Sequence, residues 1–196
     1  MQQSAFLTLP TYKMMTIQET LDLVLEQSIS DFFKMEAEAI LDQVSERNNC
    51  QRFSIYLERR AHDAGLTGYR ADAEYNRQSG GNRKRILIGN AEEAFIHSDL
   101  ILHSRGSIPD QDNLIAIEMK KADRPDHEKQ SDRRRLCAMT GPADKALDEQ
   151  QTVRPYVCGY LIGMYIELDA HQGIANIERY ENGKQAQVYS IQLAAP

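Results

Sequence analysis

Apolar and polar positions follow a helical period in the first third of the chain. Apolar residues recur at three- and four-residue steps over residues 16–44, which predicts one long helix, with a break near its middle as the alternative. Thr16 and Glu19 have the spacing of a capping box, so the helix is expected to begin there. A second helix is predicted over residues 45–64, because another apolar stripe has the same period and Gly65 suits a C-terminal cap.

The period changes to two after Gly65, and short apolar runs alternate with turn residues. Both features are typical of strands. The predicted strands cover residues 69–77, 86–88, 97–105, 113–121, 156–168, 173–180 and 186–193, the last two joined by a turn at Asn182 and Gly183. A polar, charged helix is predicted over residues 124–139, between the fourth of these strands and the fifth. Helices and strands in this order predict an α/β fold.

The run Asn113–Lys121, NLIAIEMKK, is the strand around which the other elements are expected to be arranged. Its aliphatic half predicts a buried strand. Side chains alternate across a strand, so Glu118 and Lys120 share one face, while Met119 and the isoleucines take the other. Charged groups on a buried strand are costly unless they are paired or bind a metal. The pair is therefore either a salt bridge at a strand end or part of a metal site.

Composition limits the classes of protein that this chain fits. It has 196 residues, of which 41% are hydrophobic, and this is enough for one domain with a core. Three dispersed cysteines without a C-x-x-C pair argue against a disulfide scaffold or zinc ribbon and favour a reducing compartment. The chain has neither a signal-peptide core nor an apolar run of the ~20 residues that span a bilayer, so we expect a cytoplasmic protein outside membranes. A net charge of −6 means that nucleic acid would have to bind through local basic patches.

A second carboxylate stands at the start of the preceding strand. Asp99 comes just before the apolar run LIL and 19 positions before Glu118, which leaves room for a strand, a loop and a return strand. Adjacent strands would bring both carboxylates and the Lys120 ammonium around one cavity. Hard oxygen ligands suit Mg²⁺ or Mn²⁺, and the backbone carbonyl of Met119 is placed to be a further ligand. The metal would lower the pKa of a bound water, while Lys120 would orient or help deprotonate that water and neutralise charge in the transition state.

The pattern Asp99…Glu118-Met119-Lys120 resembles that of the PD-(D/E)xK nuclease superfamily. The segments SERNNCQRFSIYLERR, EYNR, SDLILH and NLIAIEMKK occur in the order seen in uncharacterised bacterial and phage members, and the resemblance covers roughly residues 45–170. It implies a restriction-endonuclease-like fold with a mixed central sheet flanked by helices. Residues 1–44 would then form an arm and an N-terminal helical extension, and residues 45–196 the nuclease-like domain.

The resemblance also implies a function and a set of site residues. The function is a metal-dependent nuclease that hydrolyses phosphodiester bonds, with DNA as the favoured substrate. Asp99, Glu118 and Lys120 would be catalytic, and Mg²⁺ or Mn²⁺ would be held by Asp99, Glu118 and the Met119 carbonyl. The helical glutamate of the superfamily matches Glu46. The helical pattern alone leaves Glu46 equally open to a role in the first turn of the second helix.

The sequence departs from the superfamily pattern before the aspartate. Ser98 occupies the place where the superfamily usually has proline. A literal Pro109-Asp110 does occur, but it lies in a loop only eight residues before Glu118. We interpret it as turn chemistry and favour Asp99.

Several basic side chains lie near the site in sequence. The candidates for phosphate contact are Arg83, Lys84, Arg85 and Lys121. Arg133–Arg135 lie on the predicted helix that follows strand 113–121. A solvated helix face is the simpler interpretation of these arginines, and a contact with the DNA backbone is the alternative.

Some members of the superfamily do not cleave nucleic acid. The alternative function is therefore a catalytically inactive module on the same fold that binds nucleic acid or a partner protein. The apolar surface of the first helix is wider than one narrow stripe, so an ordinary core helix is the favoured interpretation and a homo-oligomer or partner interface is the alternative.

Overall fold

The computed structural model describes residues 15–74, 98–142 and 159–193, together with the backbone of two short strands at residues 85–88 and 92–95. Its helices are α1 (Ile17–Leu41), α2 (Glu46–Asp63) and α3 (Asp126–Met139). Its strands are β1 (Arg70–Ala73), β2 (Arg85–Ile88), β3 (Glu92–Phe95), β4 (Leu100–His103), β5 (Asn113–Lys121), β6 (Ile162–Asp169), β7 (Ile174–Glu181) and β8 (Lys184–Gln192). The predicted α/β class is confirmed, whereas β3 is absent from the predicted strands.

Six strands form one mixed sheet with the order β1-β4-β5-β6-β7-β8. β5 and β6 are parallel, and the other neighbouring pairs are antiparallel. Parallel neighbours need a crossover connection, and α3 lies in the segment between these two strands. β2 and β3 form a separate antiparallel pair, and β2 lies beside α3.

The sheet separates two apolar layers, because side chains alternate along β5. Ile115, Ile117 and Met119 belong to the larger layer, which α1 and α2 cover. Ala116 belongs to a smaller layer against Leu136 and Met139 of α3. The face that Glu118 and Lys120 share is therefore the face toward α3.

The N-terminal helix is one continuous element of 25 residues, so the alternative of a break near its middle is wrong. Both halves of the predicted capping box form between Thr16 and Glu19. The rings of Phe32 on α1 and Phe53 on α2 lie 5.0 Å apart, and both side chains are fully buried in the larger layer. The first helix thus shares its core with α2 and the sheet, while the division of the chain at residue 44 stays a prediction.

Two glycines explain local features of the sheet. Gly183, with φ +76°, follows Asn182, with φ +51°, in the tight turn between β7 and β8, as the sequence predicts. Gly163 on β6 lies directly under α3, where an added Cβ would come within 2.9 Å of the Thr140 side chain. The absence of a side chain at this position allows α3 to approach the sheet closely. Among the described residues, none of the helices is long and apolar enough to span a membrane.

Candidate active site

The two carboxylates singled out in the sequence face each other across neighbouring strands. Asp99 immediately precedes β4, and the next residue, Leu100, pairs with Ile117 of β5. This register places Asp99 opposite Glu118 on the face toward α3. One oxygen of Asp99 accepts a hydrogen bond of 2.9 Å from the backbone N–H of Met119. This bond fixes the carboxylate against β5.

Glu118 is fully buried and is held by an arginine from α3. Arg135 donates from Nε to one carboxylate oxygen at 3.0 Å and from Nη2 to the other at 3.1 Å. The same guanidinium also pairs with Asp132, one helical turn earlier. Two-point contacts of this kind fix the plane of a carboxylate as well as neutralising it.

Lys120 pairs with α3 and α2, so it does not form the simple strand-end salt bridge that its sequence neighbourhood allows. Its ammonium lies 3.1 Å from an oxygen of Asp132 and 3.9 Å from an oxygen of Glu46. Only 13% of its side chain is exposed. The ammonium is thus held between two helices rather than by Glu118 on its own strand.

Glu46 is the first residue of α2, and its side chain reaches the C-terminal end of β5. It accepts a hydrogen bond of 3.0 Å from the backbone N–H of Lys121. Arg124 approaches the same carboxylate at 3.4 Å. Glu46 thus stands in the first turn of a helix and also borders the Lys120 ammonium, while its role as a metal ligand stays a prediction.

Of the four candidates for phosphate contact, two belong to described elements and two lie outside the described residues. The Lys121 ammonium donates to the backbone carbonyl of Gln43 at 2.6 Å, so in this structure it anchors the end of α1. Arg85 is the first residue of β2, the strand beside α3, and Arg83 and Lys84 lie outside the described residues.

The three arginines of α3 do not form one solvated face. Arg134 is exposed, but Arg135 turns toward Glu118. The Arg133 guanidinium lies 4.2 Å from the centre of the Tyr165 ring and pairs with Glu178 at 2.7 Å. Two of the three arginines are therefore committed to the interior contacts of α3.

Burial and the repulsion of neighbouring carboxylates make Glu118 and Asp99 harder to ionise. Burial raises the pKa of Glu118 well above its usual value, the charge of Asp99 adds to this, and Arg135 offsets only part of it. Burial also raises the pKa of Asp99, although the Met119 N–H and Lys120 oppose the change. For Lys120, burial lowers the pKa, but the charges of Asp99 and Asp132 outweigh burial, so the net pKa is raised. Lys120 is therefore an ammonium ion at neutral pH.

The donor set suits a hard divalent cation, although the side chains are not arranged as a finished metal centre. No group of three or more His, Cys, Asp or Glu side chains within the described residues has the arrangement of a metal site. Four carboxylates nevertheless surround the two enclosed cations Lys120 and Arg135, namely Asp99, Glu118, Asp132 and Glu46. Each carboxylate oxygen can accept more than one contact, so Glu118 can keep Arg135 and still ligate. An oxygen-binding cation would relieve the excess negative charge.

Two residues of the cluster were not assigned from the sequence. Asp132 and Arg135 stand three positions apart on α3 and therefore share one face of that helix. In the sequence this pair looks like many exposed acid–base pairs on a polar helix. The only signal is that both lie in line with the apolar positions Leu136 and Met139, which are buried against the sheet.

A groove in the described structure lies elsewhere. It has a volume of about 890 Å³ and runs between α1 and β8, where Leu25, Phe33 and Tyr189 line it. These side chains belong to the layer on the far side of the sheet from α3 or pack against it. The groove is therefore separate from the carboxylate cluster.

Comparisons with protein-family models, with curated proteins and with solved structures found no match to this chain.

Proposed function

We propose that this protein is a metal-dependent nuclease of the restriction-endonuclease-like type that hydrolyses phosphodiester bonds, with DNA as the favoured substrate. The observation that supports the proposal most directly is the cluster itself. Asp99 and Glu118 face each other on adjacent strands, and the Lys120 ammonium stands on the same face of β5. An exposed salt bridge at a strand end requires neither the second carboxylate nor the burial.

Asp99 and Glu118 would hold Mg²⁺ or Mn²⁺, with the Met119 carbonyl and Glu46 as the further ligands expected from the sequence. A bound cation of this kind supplies a polarised phosphoryl oxygen and a water of lowered pKa. Arg135 fixes Glu118 in one orientation, and the Met119 N–H fixes Asp99. Both ligands would therefore be oriented before the cation arrives, which lowers the cost of organising the site.

Lys120 would act as a charged donor rather than as a base. Its raised pKa keeps the proton on the ammonium, so it can orient the attacking water and stabilise the negative charge that develops on the phosphoryl group. The proton of the water would have to leave through another group or through solvent.

The test compares Lys120→Ala with Asp99→Ala in the full chain. Lys120→Ala should leave Mn²⁺ binding largely intact, because an ammonium is not a ligand, and should lower plasmid cleavage by about 10²–10³. Asp99→Ala should lose both binding and cleavage. Metal binding is measured by calorimetry, and cleavage with plasmid, single-stranded DNA and RNA in Mg²⁺, in Mn²⁺ and in chelator.

The outcome separates the two functions considered for this fold. Unchanged cleavage by folded Lys120→Ala would remove the catalytic role of Lys120. Absence of cleavage by the wild-type protein on every substrate with either metal would favour the catalytically inactive binding module.

A further inference from the structure

We propose that Asp132 is a positioning residue that holds the Lys120 ammonium on the face of β5 where Asp99 and Glu118 stand. The effect of Asp132 on cleavage rests on the proposed function, but the contact between the two side chains does not. Asp132 was assigned no role by the sequence pattern. It comes from α3, whereas the other carboxylates of the cluster come from the sheet and from α2.

The geometry restricts Asp132 to one orientation. Its side chain is 4% exposed, and one of its oxygens is taken by Arg135, which is itself fixed on Glu118. The other oxygen, Oδ2, is buried without a hydrogen bond of good geometry and lies 3.1 Å from the Lys120 ammonium. That oxygen therefore has the Lys120 ammonium as its ion-pair partner.

Few other contacts hold the Lys120 ammonium in this position. It has four rotatable bonds, and its second acidic neighbour, Glu46, lies farther away at 3.9 Å. Glu46 is also occupied by the Lys121 N–H and by Arg124. Loss of the Asp132 charge should therefore release the ammonium toward Glu46, away from the position that the reaction needs.

Asp132→Asn is the informative substitution, because it keeps the shape of the side chain and removes its charge. We expect kcat to fall by about 10–100-fold, the usual range for residues that orient a reacting group, with little change in KM. The same substitution in a Lys120→Ala background should cost less than about twofold further, because the group that Asp132 positions is already gone.

A readout that does not depend on activity is the NMR signal of the lysine side-chain nitrogens. In the wild-type protein, the Lys120 ammonium should give a slowly exchanging signal with cross-relaxation to the β protons of Asp132. Asp132→Asn should remove that signal. Lys129 provides the matched control on the same helix, since its buried ammonium lies 3.1 Å from Glu167 and donates to the Ala122 carbonyl at 2.6 Å. Its signal should stay.

Each result decides the proposal. An equal loss of kcat in the wild-type and Lys120→Ala backgrounds would overturn it, and so would a Lys120 signal that survives Asp132→Asn. If Asp132→Asn does not fold, the cross-relaxation in the wild-type spectrum decides, and its absence overturns the proposal. A wild-type protein without cleavage would contradict the nuclease function, while the NMR measurement would still test the contact.

Discussion

A fully buried glutamate on a central strand is costly unless its charge is compensated, and here the compensation comes from the protein itself. Arg135 contacts both oxygens of Glu118 and also pairs with Asp132. Removing one member of such a buried network typically costs about 3–5 kcal/mol, since the remaining charge is left without a partner. The side chains of the cluster can therefore take up this arrangement before any cation binds. Its remaining negative charge still favours a cation.

Asp99→Asn is predicted to stabilise the protein in the absence of metal. The pKa of Asp99 is raised chiefly by burial, so the folded state binds this proton more tightly than the unfolded state does. The free energy of unfolding then falls as the pH rises from the usual value of 3.8 through the raised pKa of the folded state. Asparagine has no proton to lose, yet its side-chain oxygen can still accept from the Met119 N–H.

Urea unfolding in chelator between pH 3 and pH 8 measures this difference. Asp99→Asn should be more stable than the wild-type protein above the folded-state pKa of Asp99, and the two should converge toward the acid end. Mn²⁺ should stabilise the wild-type protein only. Asp110→Asn, on the exposed 3₁₀ turn Pro109–Gln111, serves as the matched control at an exposed position. A wild-type protein more stable than Asp99→Asn at neutral pH in chelator would contradict the prediction.

At the scale of elements, the site depends on how closely α3 approaches the sheet. α3 carries both Asp132 and Arg135, and it packs over Gly163 of β6 with its own C-terminal end. An added methyl group at Gly163 would lie 2.9 Å from Thr140, 3.2 Å from Tyr180 and 3.3 Å from Leu136. The absence of a side chain at Gly163 therefore determines how closely α3 approaches β6.

Gly163→Ala is predicted to destabilise the protein by about 1–3 kcal/mol, the usual cost of overpacking a filled interior. It should also lower cleavage at temperatures where the protein is folded, because α3 must move away from β5. Gly68→Ala is the matched control. Its added methyl group would lie 2.9 Å from the end of the Ile108 side chain, which can give way, and this position is remote from α3. Urea unfolding and plasmid cleavage measure both effects, and equal cleavage by the two variants would exclude the proposed role of helix distance.

Local pattern was sufficient to predict the site strand and the start of each long helix. β5 has the predicted bounds, Thr16 is the N-cap of α1 as predicted, and α2 begins at Glu46, one residue after the start predicted for the second helix. The pairing of β4 with β5 followed from spacing, because a short loop favours adjacent strands. Arg135 and Asp132, the partners of Glu118 and Lys120 on α3, could not be predicted in this way. Single-sequence patterns do not specify which face of a polar helix turns inward.

At the scale of the whole molecule, the sheet keeps two surfaces apart. The carboxylate cluster lies on the face toward α3, whereas the groove between α1 and β8 lies on the other. A net charge of −6 opposes long-range attraction of nucleic acid, so binding to a phosphate backbone has to rely on local cations. The pair of strands β2 and β3 is a candidate source of such cations, because β2 lies beside α3 and begins at Arg85.

We therefore expect the basic triplet that leads into β2 to contribute to DNA binding. Replacing Arg83, Lys84 and Arg85 together with glutamine should weaken DNA binding in Ca²⁺ and make it less dependent on salt. The slope of log affinity against log salt should decrease by about 0.9 for each phosphate that the variant no longer neutralises. The control replaces Lys34, Arg52 and Arg59 with glutamine, which lowers the net charge equally but on α1 and α2, the helices on the other side of the sheet. Fluorescence anisotropy with a labelled duplex at several salt concentrations measures both variants. Equal slopes for the two variants would show that the triplet does not contact phosphate and that only net charge matters.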